Sequence, residues 1–290
     1  MTKLGLRQAL LALLLTTQAL AQVPQTPRGR IQTIPFQSRL LVAKAPYNVI
    51  LPADYYSSRT SRYPVLYLLH GLSGHYADWL TRTNVADYAA RYRMIIVMPE
   101  GNDGWYTDSV AVPTDKYESY ILEELMADVT RRFRTIQARY GRGVAGLSMG
   151  GYGALKFGVK YPDRFVFVAS MSGALGVIRR DAARLGPAGE SILRTFGPLD
   201  SPARKANDLF ALIEEMPAVR IASLPYFYFD CGTEDVPEIF GSNRELSELM
   251  LKRRVRHEYR ELPGDHSWEY WDRQVQEVLK IAAREFSRRG

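Results

Sequence analysis

The sequence predicts an α/β fold with a mostly parallel central sheet flanked by helices, and three observations predict it. Short apolar runs alternate along the chain with longer amphipathic segments, and no repeat period stands out. Several of those runs are near-continuous Val, Leu, Ile or aromatic residues, which suits strands buried on both faces, as in a parallel sheet covered by helices. With 290 residues, 46% hydrophobic and 24% charged, the chain can build a large core, which excludes disorder, collagen and coiled coil.

The first segment stands apart from that alternation. Lys3 and Arg7 precede the apolar run 9–15, and Ala19-Leu20-Ala21 supplies a small-x-small cleavage pattern. The run falls short of the roughly 20 apolar residues a spanning helix needs, so residues 1–21 read as a signal peptide, cleaved after Ala21, of a secreted or periplasmic protein. Losing Lys3 and Arg7 lowers the net charge from +7 to +5, and no stable membrane insertion is expected after cleavage. Residues 22–290 are expected to form a single domain, since nothing along them looks like an interdomain linker.

After a Pro- and Gln-rich lead-in over 22–35, strands are expected at 36–42, 47–51, 63–69, 94–98, 143–147, 165–170, 226–230 and 257–262. Helices are expected between them at 76–92, 117–133, 152–161, 243–253 and 268–286, where apolar residues recur at steps of three and four. In the last helix Trp271, Val275, Val278, Leu279, Ile281 and Ala282 form one stripe, leaving Arg273, Glu277, Lys280 and Arg284 for solvent. Residues 177–223 break the rhythm with Arg-rich, Gly/Pro-punctuated sequence and a short helical stretch at 208–215. They read as an insertion, either a partial lid at the carboxyl ends of the strands or a surface excursion.

Composition narrows the chemistry. The basic runs Arg131-Arg132-Phe133-Arg134, Arg179-Arg180 and Lys252-Arg253-Arg254 are interrupted by acids and read as solvated helix faces, so no nucleic-acid partner is expected. Cys231 is the only cysteine, which rules out an internal disulfide and a cysteine zinc site, and its place at the end of an aromatic strand makes it a small apolar residue. No metal cluster, nucleotide-binding glycine loop or other cofactor motif occurs, and no cofactor is expected.

The strongest local signal is Gly146-Leu147-Ser148-Met149-Gly150, between the strand 143–147 and a small-residue helix. A strand-to-helix turn this sharp lifts a serine hydroxyl into the open, glycines two residues either side relieve the crowding, and the helix N-terminus favours negative charge. Serine is a poor nucleophile near neutral pH, so a base must take its proton, and the chain offers His70, His75, His257 and His266. His266 lies in a loop after the last strand and ahead of the final helix, where it can reach Ser148. A carboxylate must then orient the imidazole: Asp235, past the glycine in Asp230-Cys231-Gly232-Thr233-Glu234-Asp235, is the first choice, with Glu234 competing and Asp230 still inside the strand. The backbone N–H groups of Met149 and of Leu72, the latter in the turn His70-Gly71-Leu72-Ser73-Gly74, are the expected donors to a developing oxyanion.

Those motifs, with Asp78-Trp79 and His266-Ser267-Trp268-Glu269-Tyr270-Trp271 in the same order, make the chain resemble the esterase D-like group of α/β hydrolases from about residue 36 to 286. The group includes feruloyl and other carboxylic ester hydrolases, S-formylglutathione hydrolases and mycolyltransferases. The resemblance implies an α/β-hydrolase fold and serine esterase chemistry. The segment Met98-Pro99-Glu100-Gly101-Asn102-Asp103-Gly104-Trp105-Tyr106-Thr107-Asp108 looks like the group's aromatic loop, which implies that Trp105 and Tyr106 line the acyl or alcohol pocket. The signal peptide and the Asp78-Trp79 pair resemble secreted polysaccharide-directed members, and feruloyl or acetyl esters of carbohydrates are the leading substrates. An acyltransferase of mycolyltransferase type and a catalytically silent binding protein are the alternatives.

Overall fold

The computed structural model describes residues 30–288, so the expected signal peptide lies outside the described residues. Among these residues eight strands form one sheet: β1 (Ile31–Ile34), β4 (Tyr47–Ile50), β6 (Ile95–Pro99), β5 (Val65–Leu69), β7 (Arg142–Leu147), β8 (Phe167–Met171), β9 (Tyr226–Gly232) and β10 (His257–Leu262), in that spatial order. From β6 to β10 every neighbouring pair is parallel; β1 and β4 add an antiparallel edge. The architecture is the mostly parallel sheet, covered by helices, that the continuous apolar runs predict, and it agrees with the α/β-hydrolase fold that the resemblance implies.

Burial explains the runs. All five residues of β5 are buried, with Val65, Tyr67 and Leu69 packing into one face of the core and Leu66 and Leu68 into the other. One face is covered by α5 (Met149–Lys160), by the helical stretch from α3 (Tyr117–Ser119) through the π-helical turn Tyr120–Leu125 to α4 (Met126–Arg132), and by α10 (Pro237–Lys252). The other face carries α1 (Asp78–Arg82), α2 (Val85–Ala89) and α11 (Trp268–Ser287), the last presenting the expected stripe inward.

Several boundaries differ from expectation. Residues 36–42 give only the two-residue β2 (Gln37–Ser38), paired with β3 (Ala43–Lys44) in a small hairpin, while the edge strand is β1, inside the expected lead-in. Val42 takes φ 52°, a left-handed turn conformation that ends any strand there. β1 is half exposed and carries polar Gln32 and Thr33, so its hydrophobic signal is weak. The helix expected over 76–92 breaks at Thr83 and Asn84, because the Asn84 N–H donates to Asp272 on α11 at 2.7 Å instead of continuing the helix. The helix after the Gly-rich turn begins at Met149 rather than 152.

Residues 177–223 contain, besides two short turns, α6 (Pro187–Phe196), α7 (Pro202–Asn207), α8 (Leu209–Glu214) and α9 (Ala218–Ile221). Arg204, only 3% exposed, ties this segment together: Nε donates to the Gly197 carbonyl at 3.0 Å and Nη1 to those of Ile178 and Arg180, both at 2.8 Å. Among the described residues no helix is long and apolar enough to cross a membrane.

Candidate active site

The turn between β7 and α5 places Ser148 at φ 51° and ψ −116°, a conformation L-residues rarely adopt and that projects the side chain off the strand end. It is held by backbone bonds from Ser148 N–H to Met171 and from Ala174 N–H to the Ser148 carbonyl, each 3.0 Å. Both flanking glycines are obligatory. A Cβ on Gly146 would come within 2.4 Å of the Gly150 backbone, and one on Gly150 within 2.5 Å of the His70 carbonyl oxygen.

His266 reaches this serine from the loop after β10: its Nε2 lies 3.0 Å from Ser148 Oγ and its Nδ1 2.9 Å from Asp235 Oδ1. An ionised carboxylate only accepts hydrogen bonds, so Nδ1 carries the ring proton and Nε2 is free to accept from the serine hydroxyl. The ring is braced edge-on by Trp271, with centroids 4.9 Å apart, and Trp268 packs on Trp271 in turn. The side chain of Asp235 is fully buried, and its Oδ1 also accepts the Val236 N–H at 2.6 Å. Glu234 is exposed and donates its backbone N–H to the Gly264 carbonyl, so of the two loop acids Asp235 is the one that meets the imidazole.

Asp230 sits deeper in β9, fully buried, with the Tyr270 hydroxyl donating to its Oδ1 at 2.8 Å. Burial raises its pKa to about 7, and the hydroxyls of Tyr270 and Tyr228 offset only part of that. The remaining histidines are committed elsewhere. His70 is completely buried, its Nδ1–H donating to the Gly71 carbonyl at 2.8 Å and its Nε2 accepting the Gly101 N–H at 2.9 Å. His75 pairs with Asp78, and His257 bonds Ser247 and the Val255 carbonyl.

Leu72 enters the same cavity as Ser148 on a turn fixed by the Gly74 N–H to Gly71 bond and by the Ser73 N–H donating to Asp103 Oδ1 at 2.6 Å. The backbone N–H groups of Leu72 and Met149 have no partner among the described residues, and Met149 is the first residue of α5, where helix donors are unspent. The cavity holds about 340 Å³, with Trp105, Val177, Leu185, Ala188, Val236 and Ile239 on its walls.

Trp105 therefore lines the cavity, with its Nε1–H donating to Ser191 Oγ at 2.9 Å, so the aromatic loop and α6 are locked together. Tyr106 does not reach the cavity. It is completely buried and donates its hydroxyl to the His70 carbonyl at 3.0 Å, which braces the turn bearing Leu72. Both residues adopt φ 51°, and Lys156 of α5 holds them there by donating to the Tyr106 carbonyl and to Thr107 Oγ1. Lys156 is fully buried against Glu118; desolvation lowers its pKa to about 8. Sequence reasoning missed this lysine, although its spacing from Met149 and Tyr152 puts it on the inward face of α5. It also missed Arg180 and Arg184, which line the cavity from the 177–223 segment.

A profile of the Esterase family matches residues 38–280. An acetyl esterase of Caldicellulosiruptor saccharolyticus is 28% identical over 256 residues, 84% of this chain and 95% of that protein. An esterase of Mycobacterium tuberculosis is 33% identical over 252 residues, 80% of this chain; the chain spans 54% of that relative's length. Among solved structures, a ferulic acid esterase superposes with a TM-score of 0.75 at 29% identity, covering 88% of this chain and 98% of its own.

Proposed function

The chain belongs to the esterase family and is a carboxylic ester hydrolase on the α/β-hydrolase fold, and from that premise we propose that it acts through Ser148, His266 and Asp235 by way of an acyl-enzyme. The observation that carries this reading is the unbroken hydrogen-bonded line from Ser148 Oγ through His266 to Asp235, at 3.0 and 2.9 Å.

Ser148 Oγ attacks the acyl carbon as its proton passes to His266 Nε2, and Asp235 stabilises the imidazolium that results. The carbonyl oxygen gains negative charge facing the N–H groups of Leu72 and Met149, at the positive end of α5. When the tetrahedral intermediate collapses, the bond to the alcohol oxygen breaks and His266 returns the proton to that oxygen. Water then attacks the acyl-enzyme with the same base, releasing the carboxylic acid and restoring Ser148.

The substrate we propose is an acetyl or feruloyl ester of a carbohydrate, met outside the cytoplasm. Relatives named acetyl esterase and ferulic acid esterase support the acyl groups, and the Lys3/Arg7 and 9–21 pattern supports export. Ser148→Ala should fold normally and lose several orders of magnitude in kcat, and a fluorophosphonate should label Ser148. Near wild-type hydrolysis by that variant would sink the mechanism. A panel of acetylated and feruloylated sugars assayed against long-chain acyl esters tests the substrate class, and preference for the long chains would overturn it. Exported material whose intact mass does not begin at Gln22 would overturn the cleavage site.

A further inference from the structure

The cavity that holds Ser148 is walled on one side by Arg180 and Arg184. Arg180 is paired at 3.3 Å with Glu238, which also lines the cavity. Arg184, at the end of the turn Ala182–Arg184, has no ion pair or side-chain hydrogen bond among the described residues. The nearest acid in sequence, Asp181, spends its Oδ1 on the Ala183 N–H at 3.1 Å. The other arginine of this stretch, Arg179, is occupied by Glu245 and by stacking on Phe210.

The wall is also held in place. Buried Arg204 fixes the carbonyls of Ile178 and Arg180, and the Trp105 to Ser191 bond anchors α6 behind it. An exposed guanidinium with no protein partner, lining a reaction cavity on a segment braced at its neighbours, offers positive charge where a bound ester lies. Its fork of N–H donors fits a carboxylate in two-point contact.

We propose that the ester this enzyme hydrolyses carries a carboxylate, and that Arg184 binds it; a uronate residue bearing the ester on a hydroxyl has this chemistry. This rests on the assignment of Ser148 as nucleophile. Arg184 is then a specificity-determining residue, and the Arg180–Glu238 pair sets how much further positive charge the cavity offers.

The test uses phenyl acetate beside 4-acetoxybenzoate, which adds one carboxylate to the leaving group, and phenyl hydrogen succinate, which adds one to the acyl group. For each anionic ester the readout is its kcat/KM divided by that for phenyl acetate. Arg184→Gln should lower this ratio about tenfold for at least one anionic ester, chiefly through KM, since a charged hydrogen bond is lost. Arg184→Lys should recover part of it. Glu238→Gln should raise the ratio by releasing Arg180, and added salt should narrow the wild-type ratio. Which anionic ester responds tells whether the carboxylate belongs to the alcohol or to the acyl side. Ratios that Arg184→Gln leaves unmoved for both anionic esters overturn the proposal. Phenyl acetate hydrolysis that is absent, or that survives Ser148→Ala, instead overturns the nucleophile assignment.

Discussion

The ammonium of Lys156 donates to the carbonyl oxygen of Tyr106 at 2.6 Å, so the helix that begins beside Ser148 is bolted to the loop that carries Trp105 into the cavity. The same ammonium meets Glu118, which Lys160 and the Tyr161 hydroxyl also contact. A buried charge cluster thus fixes the distance between the helix that follows Ser148 and the aromatic wall.

That cluster should make the fold acid-labile. Burial acts to raise the Glu118 pKa, but Lys156 and Lys160 outweigh it and bring it down to about 2. Its contribution is therefore present above the unfolded carboxyl value and disappears as pH falls from about 4.5 to about 2, a loss of up to about 3 kcal/mol. Urea unfolding across that range should show the decline, and the Lys156→Met/Glu118→Gln double variant should flatten it. Glu118→Gln alone should cost about 3–5 kcal/mol, because it leaves the Lys156 ammonium buried without its countercharge. A wild-type curve as flat as that of the double variant would exclude the cluster as the source.

Asp235→Asn should keep the shape of the loop yet let the imidazole present the wrong nitrogen to Ser148. The expected loss is about 10⁴ in kcat if the site behaves as serine proteases do. Glu234→Gln, at an exposed side chain, should leave kcat within a few-fold of wild type. Steady-state kinetics on one activated ester decides the matter, and the reverse ranking would reassign the acid.

Asp230 predicts a pH dependence opposite to that of Glu118. Its carboxyl keeps its proton in the folded chain up to about pH 7, whereas in the unfolded chain it ionises near 4. Between those values the folded state binds more protons, so this group lowers stability as pH rises, by up to about 4 kcal/mol. Asp230→Asn should therefore stabilise the protein at pH 8 much more than at pH 4, with ester hydrolysis retained. Equal effects at both pH values would show that Asp230 is ionised in the fold.

Gly146→Ala should destabilise by roughly 1–3 kcal/mol or more, because its Cβ would meet the Gly150 backbone at 2.4 Å and backbone yields poorly. Activity should fall with it, since the displaced turn carries both Ser148 and the Met149 N–H. By contrast Gly241→Ala, where an added Cβ meets nothing within 4 Å of an exposed helix position, should be neutral or slightly stabilising. Melting temperatures of the two variants make the comparison, and equal shifts would remove the steric argument.

Local chemistry explains what could be read along the chain. The strands β5 to β9 declare themselves because burial on both faces demands continuous apolar residues, and the turn at Ser148 because its backbone admits almost nothing but glycine at 146 and 150. His266 could be singled out because only four histidines exist and one of them follows the last strand. Asp235 and Glu234 stand side by side in sequence, and tertiary structure separated them: one carboxylate is buried against the imidazole, the other faces solvent. The same holds for Trp105 and Tyr106, of which one lines the cavity and the other is walled in under His70. The edge strand β1, the break at Asn84 and the positions of Lys156, Arg184 and Arg204 were likewise decided by partners far along the chain. Pattern and turn chemistry report what a residue asks of its immediate neighbours; which face a loop carboxylate or guanidinium meets depends on contacts that exist only once the layers have packed.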